Sequence, residues 1–441
     1  MDSAKRIQEM GVVGAGGAGF PTHIKVRSQA NTVLVNAAEC EPLLHKDKQL
    51  LIHKRETFFK GLTTVMNAVG ARQGLIGIKA KHRSIIDRLQ ADLPVGVKIR
   101  PVEDFYPAGD EITLIRETTG KIIAPGALPI SQGIIVMNVE SLYNIGRERP
   151  VTSKFVNIAG CVENLHTLNV PIGISFRELL AYARPTIEQY AVIEGGPMMG
   201  SLVHDLDKTV TKTTAALIVM PQDHILVKKY ADMASPKKVN AIGKAACDQC
   251  SFCTELCPRY LLGHPIQPHK AMRSLVFHRS EAPGQWHEPH TLFCCQCNLC
   301  SFVSCPEGLY PSQVCINKRK EAIAAKCTYD GKLAEGPHPM AEFRKTPSGK
   351  LKTMLDLKTF TDSGELACHT FMPDRLRILL RQHIGISAQP VVQLNERIVK
   401  EQKIASVGEA LGSEIHAPAN GTVIDITPDH IEIRVEYPSS S

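Results

Sequence analysis

Cys247, Cys250, Cys253 and Cys257, followed by Pro258, form the run C-x2-C-x2-C-x3-C-P. Cys294, Cys297, Cys300 and Cys305, followed by Pro306, repeat it with one extra residue before the last cysteine. Three thiolates at this spacing wrap a short loop around one face of a cubane cluster, while the fourth, beyond a spacer and before a proline, is aimed elsewhere. In two-cluster ferredoxins the fourth cysteine of such a run ligates the other cluster. The spacing therefore predicts one [4Fe–4S] cluster on Cys247, Cys250, Cys253 and Cys305, and a second on Cys294, Cys297, Cys300 and Cys257. Structural zinc sites arrange their ligands as separated C-x2-C pairs, often with histidine, rather than as triplets. The chemistry implied is one-electron transfer.

A second set of residues gathers near the N-terminus. Gly14-Ala15-Gly16-Gly17-Ala18-Gly19-Phe20-Pro21 formally satisfies G-x-G-x-x-G, and Glu39 lies 20 residues past Gly19. The context is wrong for a dinucleotide fingerprint. Only Gly11-Val12-Val13 separates the loop from the polar helical stretch Ser3–Met10, and Pro21 disfavours a regular helix opening on the glycines. The better reading is a backbone cradle for a phosphate or flat ring, because successive unhindered N–H groups suit anions. Asn36-Ala37-Ala38-Glu39-Cys40-Glu41 follows one strand-like run, and Asn138, Glu140 and Ser141 end another. Tyr106-Pro107-Ala108-Gly109-Asp110-Glu111 is a further loop with paired acids. Ligands of α/β proteins bind at such carboxyl strand ends.

The elements that must position these residues are legible in outline. Residues 1–150 alternate apolar strand-like runs (32–38, 74–79, 133–139) with amphipathic stretches, which predicts an α/β layer with a mostly parallel sheet. Residues 151–222 read as a compact β-rich unit with one helix. Residues 240–330 hold the cysteine runs, with a proline-bounded helical stretch at 261–280 between them. Residues 331–372 are polar and predicted to wrap the surface. Residues 373–441 return to short strands, with Val423, Ile424, Ile426, Ile431 and Ile433 alternating across a Pro-Asp-His turn.

Composition narrows the class. A hydrophobic content of 43% with 22% charged residues is that of a soluble globular protein. No apolar run is long enough to span a membrane, and the polar N-terminus lacks a signal-peptide core. Fourteen cysteines in that setting point to a reducing compartment where thiols serve metals. The net charge of +7 is scattered, densest at 318–320, and Trp286 with few other aromatics offers no stacking platform, so nucleic-acid binding is not expected. Cys295, beside Cys294, reads as a buried thiol outside the ligand set. Cys40, Cys161, Cys315, Cys327 and Cys368 read as isolated and structural, and His264 and His269 as packing residues.

GAGGAGFPTH, NAAECEP, YPAGDE and VMNVES together resemble the flavin- and NADH-binding subunit of respiratory complex I. They resemble more closely the RnfC component of Rnf-type electron-transport complexes, and most closely the cobalamin reductases of the propanediol-utilisation microcompartment. The resemblance continues through a soluble-ligand-binding β-grasp module (VTSKFVNIAG to AALIVMP), the cysteine runs, and a barrel-sandwich module that is C-terminal here, as in the cobalamin reductases. It implies four domains: a Rossmann-like FMN/NADH domain (1–150), the β-grasp module (151–222), a helical ferredoxin-type domain (240–330) and the barrel-sandwich module (373–441).

Carried over, the resemblance implies FMN against Gly16, Gly17 and Gly19 with Lys25 nearby, held by Asn36, Glu39, Tyr106, Gly109, Asp110 and Asn138. Phe20, Glu41 and Glu111 would face NADH. Met137-Asn138 stands where the family usually has two asparagines, which predicts one ribityl or phosphate contact fewer. Ala38 replaces an acidic residue of the complex I protein. The C-terminal segment resembles lipoyl and biotinyl carriers but sets no lysine at a hairpin tip, so it is expected to carry nothing. The activity implied is NADH-dependent reduction of cob(III)alamin or cob(II)alamin, electrons running from NADH through FMN and two [4Fe–4S] clusters, with no side chain assigned as catalytic. The partners implied are a corrinoid or corrinoid-bound protein, an adenosyltransferase and shell proteins of a cytoplasmic microcompartment. The alternatives are an Rnf-type electron-transport component and a flavin-free electron-transfer adaptor.

Overall fold

The computed structural model describes residues 2–277, 289–329 and 336–437. Trp286, the end of the 261–280 stretch, residues 330–335 and the last four residues lie outside them. Four parallel strands, β1 (Thr32–Ala37), β2 (Gln73–Lys79), β3 (Val97–Val102) and β4 (Ile134–Asn138), form the first sheet in the order β3-β2-β1-β4. Strand β1 is apolar on both sides because both faces are covered. Val33, Val35 and Ala37 enter one core cluster, and Leu34 and Ala38 the opposite one. Strand β3 is not evident from the sequence. As an edge strand it carries Lys98, Arg100 and Pro101, which a central strand would exclude.

The helices α1 (Arg55–Val69), α2 (Glu111–Thr119) and α3 (Val139–Gly146) flank this sheet. Close crossing of α1 and α3 depends on two glycines. A Cβ on Gly61 would sit 1.8 Å from the Leu142 carbonyl oxygen, and one on Gly146 1.9 Å from that of Thr57.

The β-rich unit is a six-stranded sheet. Its strands are β5 (Ser153–Gly160), β6 (His166–Pro171), β7 (Tyr190–Glu194), β8 (Ser201–Val203), β9 (Ala216–Pro221) and β10 (Glu365–Ala367), in the order β10-β6-β5-β9-β7-β8. Its one helix, α4 (Phe176–Ala183), starts on a reciprocal capping box between Ser175 and Glu178. Residues 331–372 therefore do more than wrap the surface. They supply β10, and Thr346–Pro347 pairs antiparallel with Phe105–Tyr106. Strands of two or three residues are too short to show alternation.

The cysteine runs lie among helices α5 (Pro236–Ala246), α6 (Phe252–Glu255), α7 (Pro258–Leu261), α8 (Pro268–Phe277) and α9 (Pro311–Ala324). The extra residue of the second run is absorbed by a π-helical turn, Cys300–Ser304, where the first run has the α-helical turn α6. The C-terminal unit is a pair of small antiparallel sheets. Val423 faces Ile433 and Ile426 faces Ile431 across the predicted turn, and a β-bulge between Val423 and Asp425 resets the alternation at Ile424.

Candidate functional site

The glycine loop lies beside the carboxyl ends of β1 and β4. Gly17 and Gly19 take positive φ, and a Cβ on Gly16 would press within 3.2 Å of the Asn138 side-chain amide. The Ala15 N–H donates to Ser141 Oγ (2.9 Å), and Lys154 Nζ donates to the Ala15 carbonyl (3.3 Å). Among the described residues, the N–H groups of Gly16, Gly17, Ala18 and Gly19 donate to no protein acceptor. A run of uncommitted amides on an exposed turn fits a phosphate or a ring edge.

Beneath the loop is a buried ionic network that sequence patterns do not assemble. Lys46 pairs with Asp47 (2.6 Å) and Glu140 (3.1 Å), Lys154 pairs with Glu140, and Asp47 accepts from the Asn138 amide (2.8 Å). Burial lowers the Lys154 ammonium pKa to about 8 against the pull of Glu140. Burial also acts against the Lys46 charge, but Asp47 and Glu140 outweigh it and raise its pKa. The only sequence signal is charge inside otherwise apolar surroundings, Lys154 next to FVNIAG above all.

The other residues implied by the resemblance divide into two groups. Around the strand ends, Asn36 donates to the Gly109 carbonyl (2.7 Å), and Lys25 donates to the Val136 carbonyl (3.0 Å) and faces Glu111 (3.7 Å). Phe20 is exposed. Glu39 accepts from the backbone N–H of Cys40 and Glu41, while burial and then Asp47 raise its pKa. Three further side chains turn away from the loop. Glu41 accepts from the Met198 N–H (2.8 Å) of the six-stranded unit, its other oxygen has no partner, and burial pushes its pKa up to about 8. Tyr106, fully buried, donates its hydroxyl to the Cys297 carbonyl (2.9 Å). Asp110 caps α2 and holds the Arg259 guanidinium through two contacts of 2.8 Å. Tyr106 and Asp110 thus join the flavin-side loop to the cysteine loops.

The eight cysteines part into two cavities. Cys247, Cys250 and Cys253 share one with Cys305, while Cys294, Cys297 and Cys300 share the other with Cys257. Crossed ligation, as the spacing leads one to expect, would need this grouping. Burial, then Cys305, Cys250 and Cys247, push the Cys253 thiol up to about 12, so its thiolate needs a cationic centre beside it. The first cavity reaches the surface at the exposed Cys250, and its histidine neighbour, His269, is held by Thr254. At the second cavity Asn298 donates to the Met198 carbonyl (2.5 Å), and His264 bonds to the Ile123 carbonyl (2.9 Å). Cys315, isolated in the sequence, lines the second cavity with Cys295. Cys40 is not isolated either, lying against Gly109.

Comparison with known proteins follows these divisions. The Nuo51 FMN-binding domain matches residues 7–147, the 4Fe-4S dicluster domain residues 246–310 and the RnfC barrel sandwich hybrid domain residues 354–438. The chain is 30% identical to a component of the Na(+)-translocating ferredoxin:NAD(+) oxidoreductase complex of Acetobacterium woodii, over 58% of each chain. It is 40% identical to the cobalamin reductases PduS of Citrobacter freundii and Salmonella typhimurium, over 97% of this chain and 95% of theirs. With the flavin-type loop, both cysteine cavities and the C-terminal sandwich all within that alignment, the chain belongs to the cobalamin reductase PduS family of oxidoreductases.

Proposed function

We propose that this chain is an NADH-dependent flavin/iron–sulfur reductase that passes electrons from NADH through FMN and two [4Fe–4S] clusters to the cobalt of a corrinoid. The observation that carries the reading is the fastening of the second cysteine cavity to the flavin-side loop, by Tyr106 on the Cys297 carbonyl and Asp110 on Arg259. FMN, when bound, supplies the conversion of a two-electron hydride into single electrons. The chain's own residues provide the setting. The Gly16–Gly19 amides and Asn138 receive the flavin, and the Lys46–Asp47–Glu140–Lys154 network holds that loop in place. Phe20 and Glu111 border the open side where NADH would lie. The second cavity, fastened to the flavin-side loop, would take electrons from the flavin, and the first, with Cys250 exposed, would pass them to the acceptor. Four domains at 1–150, 151–222, 240–330 and 373–441 serve these roles, with β10 as a strand returned to the second from outside its own segment.

The corrinoid as acceptor, an adenosyltransferase partner and a microcompartment location come with the family. Among the described residues no helix is long and apolar enough to cross a membrane. Anaerobic mixing of NADH-reduced protein with cob(III)alamin tests the acceptor. The cob(II)alamin spectrum is expected to grow as NADH is consumed. Clusters that stay reduced beside cob(III)alamin would remove the corrinoid assignment, and co-purification without shell proteins the location.

A further inference from the structure

The two cysteine cavities are not equivalent. The first is lined by four cysteines, the second by six: Cys257, Cys294, Cys295, Cys297, Cys300 and Cys315. Crossed ligation uses four of these. The remaining two, Cys295 and Cys315, line the same small cavity beside the four. A cubane takes four cysteine ligands, so Cys295 and Cys315 are left as thiols against it. Cys315 is fully buried on α9, one helical turn beyond Ser312, which is fixed by Ser301 of the cluster loop (2.6 Å between hydroxyls). Its position is therefore set by the fold. Thiol S–H is a weak donor, and hydrogen bonds to cluster sulfurs favour the reduced state, which carries more negative charge.

We infer that Cys295 and Cys315 are positioning residues of the second cluster, whose S–H groups donate to its ligand sulfurs and raise that cluster's reduction potential. This rests on the two-cluster reading above. The arrangement makes the flavin-side cluster a better electron acceptor than its ligands alone would make it.

The test is an EPR-monitored redox titration of anaerobically purified holoprotein, native and with Cys315→Ala, Cys315→Ser, Cys295→Ala or Cys295→Ser, with iron and sulfide counted in each. Each alanine variant is expected to keep both clusters and to shift one midpoint downward, leaving the other in place. Serine, which retains a donor, is expected to restore much of the shift. Unchanged midpoints with both clusters present would overturn the inference. So would loss of one cluster in both the alanine and serine variants, which would make the thiol a ligand. If Cys315→Ala fails to fold, Cys315→Val keeps the volume without the donor and is read in the same way. Native protein holding iron for only one cluster would instead refute the two-cluster reading.

Discussion

Glu41 is half-buried, with its Oε1 enclosed and unpartnered, and desolvation of the carboxyl pushes its pKa to about 8, above its unfolded value of 4.5. A carboxyl whose folded pKa is raised stabilises the protein below its unfolded pKa, and that contribution is lost as pH rises through the folded value. Between pH 4.5 and 8 the native chain should therefore lose stability that Glu41→Gln does not. The difference is on the order of a few kcal/mol at about pH 8 and vanishes near pH 4.5. Paired thermal melts across that range check it, and parallel pH curves would contradict it. At the same scale, Cys305→Ala should remove the cluster of Cys247, Cys250 and Cys253, and Cys257→Ala that of Cys294, Cys297 and Cys300. Each variant keeps about half of the iron, and its EPR spectrum identifies which cluster survives. Loss of the opposite cluster in either variant would reverse the crossed ligation.

Among the elements, the crossing of α1 and α3 is the tightest fit. A methyl at Gly61 meets a backbone carbonyl at 1.8 Å, so the gain in helix propensity of about 1 kcal/mol cannot offset the clash. Gly61→Ala should cost about 1–3 kcal/mol net by overpacking, whereas Gly349→Ala, where a Cβ meets nothing, should be neutral or stabilising. Denaturant unfolding of the two variants separates them. What the sequence discloses at this scale follows the same physics. β1, β2 and β4 are legible because both faces are apolar. β3 is hidden by the charges an edge strand tolerates, and β10 by its length. The cluster ligands are legible because their spacing is local. The Lys46–Asp47–Glu140–Lys154 network and the place of Cys315 are not, because partners brought together only by the tertiary fold share no local pattern.

At the scale of the molecule, the modules are tied by single polar groups as much as by core. Lys212, in the six-stranded unit, donates to the Gly11 carbonyl (2.8 Å), the Glu414 carbonyl (2.6 Å) and Ser413 Oγ (3.2 Å), joining three units through one buried side chain. Lys212→Met leaves two buried carbonyls without that donor and should cost about 2–4 kcal/mol, read as a lower melting temperature with cluster content unchanged. The central claim is that electrons enter the clusters only by way of the flavin. Anaerobic addition of NADH to the native protein and to flavin-stripped protein, both with clusters intact, followed by EPR, tests it most directly. Reduced-cluster signals are expected in the native protein, absent after flavin removal and restored on adding FMN. Cluster reduction by NADH without flavin, or none in the native holoprotein, would contradict it.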